Sequence, residues 1–126
     1  MIPNIPFSFI GAWFGALAVA LGAFAAHGLK KVLSQESMQI FEVGVRYQMY
    51  HALALLFLGI LSEGILDQRP LWAGASFVFG IVLFSGSLYL LTLTGQKSWG
   101  MVTPIGGVLF IIGWSTLAWI CMSKTM

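Results

Sequence analysis

Six consecutive residues, Arg46-Tyr47-Gln48-Met49-Tyr50-His51, set a cation, two phenols, an amide and an imidazole directly ahead of the apolar run Ala52 to Leu61. Tyr47 and His51 stand at i,i+4, so on a helix they share one face. Other hydrogen-bonding side chains that the spans bring back to the same level are His27, Ser85, Ser87, Tyr89 and Thr103. Together with Tyr47, Gln48 and His51 they are the candidate ligand-binding set. They do not include a nucleophile, base and acid in sequence register, a phosphate loop or a metal-ligand cluster, so no enzymatic activity is expected. Cys121 is the only cysteine; an intrachain disulfide and a zinc site both need more. No metal is expected. The one cofactor option is haem held axially by His27 and His51, which a colourless purified protein would remove.

These residues sit in an unusual background. Of 126 residues, 59% are hydrophobic and 8% charged, against about 25% charged in an ordinary soluble domain. Such a chain has too little polar surface to cover a water-exposed globule, so its solvent is a bilayer and lipid is its first partner. The net charge of +2 is scattered, which leaves no basic stripe for nucleic acid. A span needs about 20 apolar residues, and the length allows one domain of four or five.

Taken in order, Pro3 and Pro6 keep the entry extended, and Phe7 to Ala26 is the first span. Its Ala-Phe-Ala-Ala end resembles a signal-peptide cleavage site, but no positive charge precedes Phe7, so the span is retained. Gly11, Gly15, Ala18 and Gly22 form a small-residue stripe of the kind that lets membrane helices approach closely. Gly28 is a candidate C-cap beside Lys30 and Lys31, and Ser34 an N-cap with Glu36 in the first turn. Gln35 to Arg46 is amphipathic, with Glu42 and Arg46 spaced for an ion pair. It reads as a short interfacial helix that runs into the second span, residues 45–62, without a proline between. Glu63, Asp67, Arg69 and Pro70 form a polar hairpin. The third span, 71–94, carries Ser76, Gly80, Leu83 and Ser87 on one stripe; the fourth is 103–122, with Pro104 tolerated in its first turn. The expected fold is all-α, a four-span membrane bundle.

Four spans put both termini on one face. The opposite face holds Lys30, Lys31 and Lys97, with Arg46 nearby, against Arg69 and Lys124, and the positive-inside rule puts those basic loops in the cytoplasm and the termini outside. Following each helix by direction, His27, Tyr47, Gln48, His51, Ser85, Ser87, Tyr89 and Thr103 all fall in the inner half of the membrane. Polar groups facing lipid are expensive, so these should face inward and bond to one another. Of the aromatic residues Tyr47, Tyr89 and Trp114, which suit an interface belt, Tyr89 is the best placed to point inward, one turn from Ser85.

Read by themselves, Ser85, Ser87 and Thr103 suit interhelical hydrogen bonding, His27 a helix-end cap, and His51 either a ligand or a partner for Tyr47 or a backbone carbonyl.

In succession, Gly22-Ala23-Phe24-Ala25-Ala26-His27-Gly28, Tyr47-Gln48-Met49-Tyr50-His51-Ala52-Leu53, Leu83-Phe84-Ser85-Gly86-Ser87-Leu88-Tyr89, Thr103-Pro104-Ile105-Gly106-Gly107 and Gly113-Trp114 resemble the signatures of the domain-of-unknown-function 423 family. These are small bacterial inner-membrane proteins with animal relatives of the transmembrane protein 256 type. Ala25 stands where the pattern has glycine. The resemblance spans essentially the whole chain. It implies a four-span inner-membrane protein and supplies no reaction; Gly80, Gly86, Gly106, Gly107 and Gly113 join the first-span glycines as expected packing positions. Two function classes lead: a structural or binding bundle whose polar cluster holds a small ligand, a lipid headgroup or water, and a small transporter or channel, formed as a homo-oligomer.

Overall fold

A computed structural model describes residues 6–126. The extended entry expected at Pro3 lies outside them; Pro6 precedes the first helix with φ −81° and ψ 71°. Four long helices follow: α1 Phe7–His27, α2 Gln35–Leu61, α3 Arg69–Thr94 and α4 Thr103–Thr125. Single 3-10 turns, Leu29–Lys31 and Lys97–Met101, lead into α2 and α4. At 21 to 27 residues and about 1.5 Å per residue, each helix is long enough to cross the roughly 30 Å hydrocarbon thickness of a bilayer.

Local chemistry sets the ends. Ser34 caps α2, its Oγ accepting from the Ser37 N–H at 3.1 Å. Pro70 and Pro104 occupy first turns, where their missing N–H groups have no helical partner to lose. Gly95 closes α3 at φ 74°, its N–H returning to Leu91 O. Gly28 also caps, with its N–H on Phe24 O, but in the right-handed region. The amphipathic stretch from Gln35 is the opening of α2 itself, continuous with the second span. The expected Glu42–Arg46 ion pair does not form; among the described residues the only ion pair is Arg69–Asp67. Both side chains at 42 and 46 are exposed, where an ion pair is worth too little to hold two long chains in one geometry.

The helices pack in chain order, α1 on α2, α2 on α3 and α3 on α4, with α2 and α4 touching only lightly. The central pair carries most of the core: Leu55, Leu58, Phe77 and Ile81 are buried, and Phe110 and Ile120 reach in from α4. Close approach sits at particular glycines. A β-carbon at Gly11 would lie 2.6 Å from Ala52 O and 3.0 Å from Leu56 N, so α1 and α2 cross backbone to backbone there. Gly106 seats the α3–α4 crossing against the Phe84 backbone, while Gly80 meets the Phe110 ring and Gly113 the Phe77 ring. Gly15, Gly22 and Gly107 make only ordinary contacts. Gly86, expected at a packing position, has nothing within 4 Å and is no part of a seam; α3 turns its Ser85 and Ser87 inward instead, leaving position 86 between them on another face.

At the far end of the molecule Arg69 clasps the α2–α3 hairpin to α4. It donates to both Asp67 carboxylate oxygens and to Ser123 Oγ, and its guanidinium lies 5.1 Å from the Trp119 ring centre. The hydrogen bonds from Arg69 hold the Asp67 carboxyl below the usual carboxylate range.

Candidate functional site

The sequence places its hydrogen-bonding side chains at one level; the structure resolves them into two networks on different sides of α2, and a separate α3–α4 bond. The first joins three helices. Tyr89 O–H donates to Gln48 Oε1 at 2.7 Å, and Gln48 Nε2 donates to Phe14 O of α1 at 2.9 Å. Beside it, Ser85 Oγ donates to Gly44 O at 2.6 Å. Gly44 permits this, because a β-carbon there would press within 2.8 Å of the Tyr89 ring. Gln48, Ser85 and Ser87 are essentially inaccessible. In the hydrocarbon region a buried amide without partners would cost several kcal/mol, and every bond described here removes part of that cost.

The second network joins α2 to α4. Trp114 Nε1–H donates to His51 Nε2 at 3.0 Å, so Nε2 carries no hydrogen; Nδ1–H then donates to Tyr47 O at 2.6 Å. The Tyr47 interaction expected at i,i+4 thus runs through its carbonyl rather than its phenol. The imidazole lies flat on Phe110, with ring centres 3.5 Å apart and planes 3° from parallel, and Tyr47 stacks on Phe84 at 4.6 Å. Between α3 and α4, Ser87 and Thr103 bond through their hydroxyls, and Ser87 also donates to Phe84 O.

His27 does not join either network. It is the last residue of α1, where Ala25 rather than His27 turns to the core, and its side chain is exposed. A haem held by His27 and His51 therefore does not fit: both His51 nitrogens are already engaged, and His27 stands outside the packed region. Another polar contact lies at the opposite level, where Ser8 Oγ donates to Leu56 O at 3.2 Å.

Over the second network the surface is concave. A groove of about 480 Å³ opens on the membrane-facing side between α2 and α4, walled by Tyr47, Tyr50, Phe84, Phe110, Ile111 and Trp114, with His51 and Gly107 at its base. It exists because α2 and α4 barely touch, each being held by α3 instead. Sequence reasoning missed Trp114 as the partner of His51, and Phe110 as its stacking surface. Gly113-Trp114 was among the family-like signatures, but a tryptophan in a spanning helix reads first as an interface anchor. The carbonyls of Phe14 and Gly44 carry no sequence signal at all.

Among the described residues, no buried side-chain nitrogen or oxygen lacks a hydrogen-bond partner. The interior polar groups are satisfied by one another and by backbone carbonyls, and the concavity that adjoins them is the aromatic groove; two further concavities lie at the helix ends, beside Arg69 and Lys124 and beside Lys30 and Glu42.

The family model described as "Protein of unknown function (DUF423)" matches residues 21–107, a stretch that holds Gln48, His51, Ser85, Tyr89 and Thr103. A UPF0382 membrane protein of Staphylococcus epidermidis is 52% identical over 111 residues, covering 88% of this chain and 90% of its own. SH2409 of Staphylococcus haemolyticus is 47% identical over 111 residues, with the same coverage. YwdK of Bacillus subtilis is 44% identical over 109 residues, covering 86% of this chain and 89% of its own. Both are also named UPF0382 membrane proteins. No solved structure matches the chain.

Proposed function

The chain belongs to the DUF423 family of membrane proteins, and from that premise we propose that it is a non-enzymatic bundle of the bacterial inner membrane that takes up one small amphipathic or lipid molecule sideways from the bilayer. The observation that carries this reading is the aromatic groove between α2 and α4. Its volume falls within the roughly 300–1,000 Å³ of small-molecule sites, and its wall is apolar with a few polar points, as such sites are. The buried networks support a structural role for the other polar residues: Gln48, Ser85, Tyr89, Ser87 and Thr103 fix how the helices meet. The hydroxyls of Ser85, Ser87 and Thr103 bond to carbonyls or to each other rather than to a base, which favours a binder over a hydrolase. A transporter path would call for polar groups left open along it, and the satisfied interior argues for the binding reading.

Gly107 allows a direct test. A β-carbon there meets nothing closer than Phe84 Cδ2 at 4.0 Å, so Gly107→Leu should fold normally while its side chain fills the groove. Protein purified in mild detergent from its own membranes should carry a stoichiometric lipid or small amphiphile by native mass spectrometry, and Gly107→Leu should lose it. An unliganded wild-type protein, or a variant that keeps its ligand, would remove the reading.

For orientation, the basic loops support a cytoplasmic side at Lys30, Lys31 and Lys97 and termini outside. In a Cys121→Ser background, a membrane-impermeant thiol reagent added to intact cells should label Lys124→Cys and spare Lys97→Cys; labelling of Lys97→Cys alone reverses the assignment.

A further inference from the structure

Building on the groove reading of the previous section, we infer that the occupant is an anionic glycerophospholipid, with one acyl chain in the groove and its phosphate on Arg46. Three observations converge. First, the interior of the groove has nothing for a headgroup. His51 spends both ring nitrogens on Tyr47 O and Trp114, and its face is covered by Phe110. Only ring faces, aliphatic groups and the two tyrosine edges line the walls, so the part of a ligand that enters is a hydrocarbon chain.

Second, the polar points lie at one end. Tyr50 lines the groove, is 51% exposed and makes no hydrogen bond through its phenol among the described residues. Tyr47 shares both properties at 38% exposure. An unpartnered phenol at the edge of a hydrocarbon wall is costly unless something outside the chain completes it.

Third, Arg46 stands at i,i+4 from Tyr50 on the same face of α2, one turn nearer the end at Gln35. It is exposed, and the acid expected to neutralise it, Glu42, does not pair with it. A guanidinium pairs with phosphate oxygens through two parallel N–H donors. A lipid lying along the groove meets the aromatic wall with its chain, then the tyrosine hydroxyls at the depth of its ester groups, then Arg46 at the depth of its phosphate. Lys97, in the turn that leads into α4, adds positive charge to the same membrane face, which favours a headgroup with net negative charge over a zwitterion.

The test offers purified, delipidated full-length protein an equimolar mixture of dioleoyl phosphatidylglycerol and dioleoyl phosphatidylcholine, and reads bound species by native mass spectrometry. Wild type should retain phosphatidylglycerol about five-fold over phosphatidylcholine, the order expected when one basic residue meets an anionic headgroup. Arg46→Gln, an exposed position, should lower that ratio while one lipid still binds, the remainder being set by Lys97, and Arg46→Lys should keep more of the preference than Arg46→Gln. Gly107→Leu should abolish retention of both. Equal binding of the two lipids by wild type, or an unchanged preference in Arg46→Gln, overturns the headgroup assignment and leaves the groove reading standing. Failure of wild type to retain either lipid overturns both.

Discussion

Gly106→Val should abolish accumulation of the folded protein, while Gly86→Ala in the neighbouring helix should be tolerated. Each glycine lies in one of the family-like signatures, and their surroundings separate them. At 106 a β-carbon would sit 2.7 Å from Phe84 Cβ and 2.8 Å from Phe84 Cα, and closer still to the Phe84 amide nitrogen. The obstacle is the backbone of α3, which cannot rotate aside as a side chain can. Overpacking of a well-fitted contact costs about 1–3 kcal/mol, and more when backbone must move. Here the displaced contact is the crossing that also aligns Gly80 with Phe110, Gly113 with Phe77 and Ser87 with Thr103. Since α4 is held almost entirely by α3, losing this crossing detaches the fourth helix. At 86 nothing lies within 4 Å, and alanine is favoured over glycine in a helix by up to about 1 kcal/mol. Detergent-solubilised yield and the thermal midpoint would report both: no folded Gly106→Val, and a Gly86→Ala midpoint at or slightly above wild type. A Gly106→Val protein that folds and melts like wild type would show that the α3–α4 crossing is not the contact that holds α4.

The same pair explains what was legible in the chain and what was not. Helix number and ends follow from one-dimensional signals: apolar runs of spanning length, Ser34 as a cap, Pro70 and Pro104 in first turns. Those signals act through groups close in sequence, so reading along the chain finds them. Which glycine is pinched depends on where another helix crosses. The first-span stripe has the right period throughout, yet only Gly11 meets backbone, because two straight helices approach most closely at one point along the seam. The polar residues behave the same way. That Gln48, Ser85 and Tyr89 turn inward follows from the cost of facing lipid. That Gln48 finds Phe14 O and Ser85 finds Gly44 O depends on carbonyls every residue possesses, so no side-chain pattern points to them. His27 differs for another reason: its place at the end of α1 says nothing about which side of the helix it leaves from.

Gln48→Leu should be the most damaging single change to the buried polar groups, and Tyr89→Phe should cost much less. Among the described residues Gln48 is the only side chain that bonds two other helices at once, accepting from Tyr89 O–H and donating to Phe14 O. Leucine fills a similar volume, so packing is nearly conserved and the effect is polar. Its loss leaves the half-buried Tyr89 hydroxyl without its Gln48 acceptor, a penalty toward the lower end of about 1–3 kcal/mol, on top of the forfeited bond to α1. Tyr89→Phe removes donor and hydroxyl together and leaves only Gln48 Oε1 short of one partner, on the order of the 0.6 kcal/mol average for interhelical bonds in membranes. Once residue 48 is leucine, removing the Tyr89 hydroxyl relieves an orphan rather than breaking a bond. The double variant should therefore be more stable than Gln48→Leu alone, and the cycle should show coupling of about 1 kcal/mol or more, as for residues in one network. Thermal or denaturant unfolding in detergent measures all four corners. Additive losses in that cycle would mean that Tyr89 and Gln48 do not act on one another.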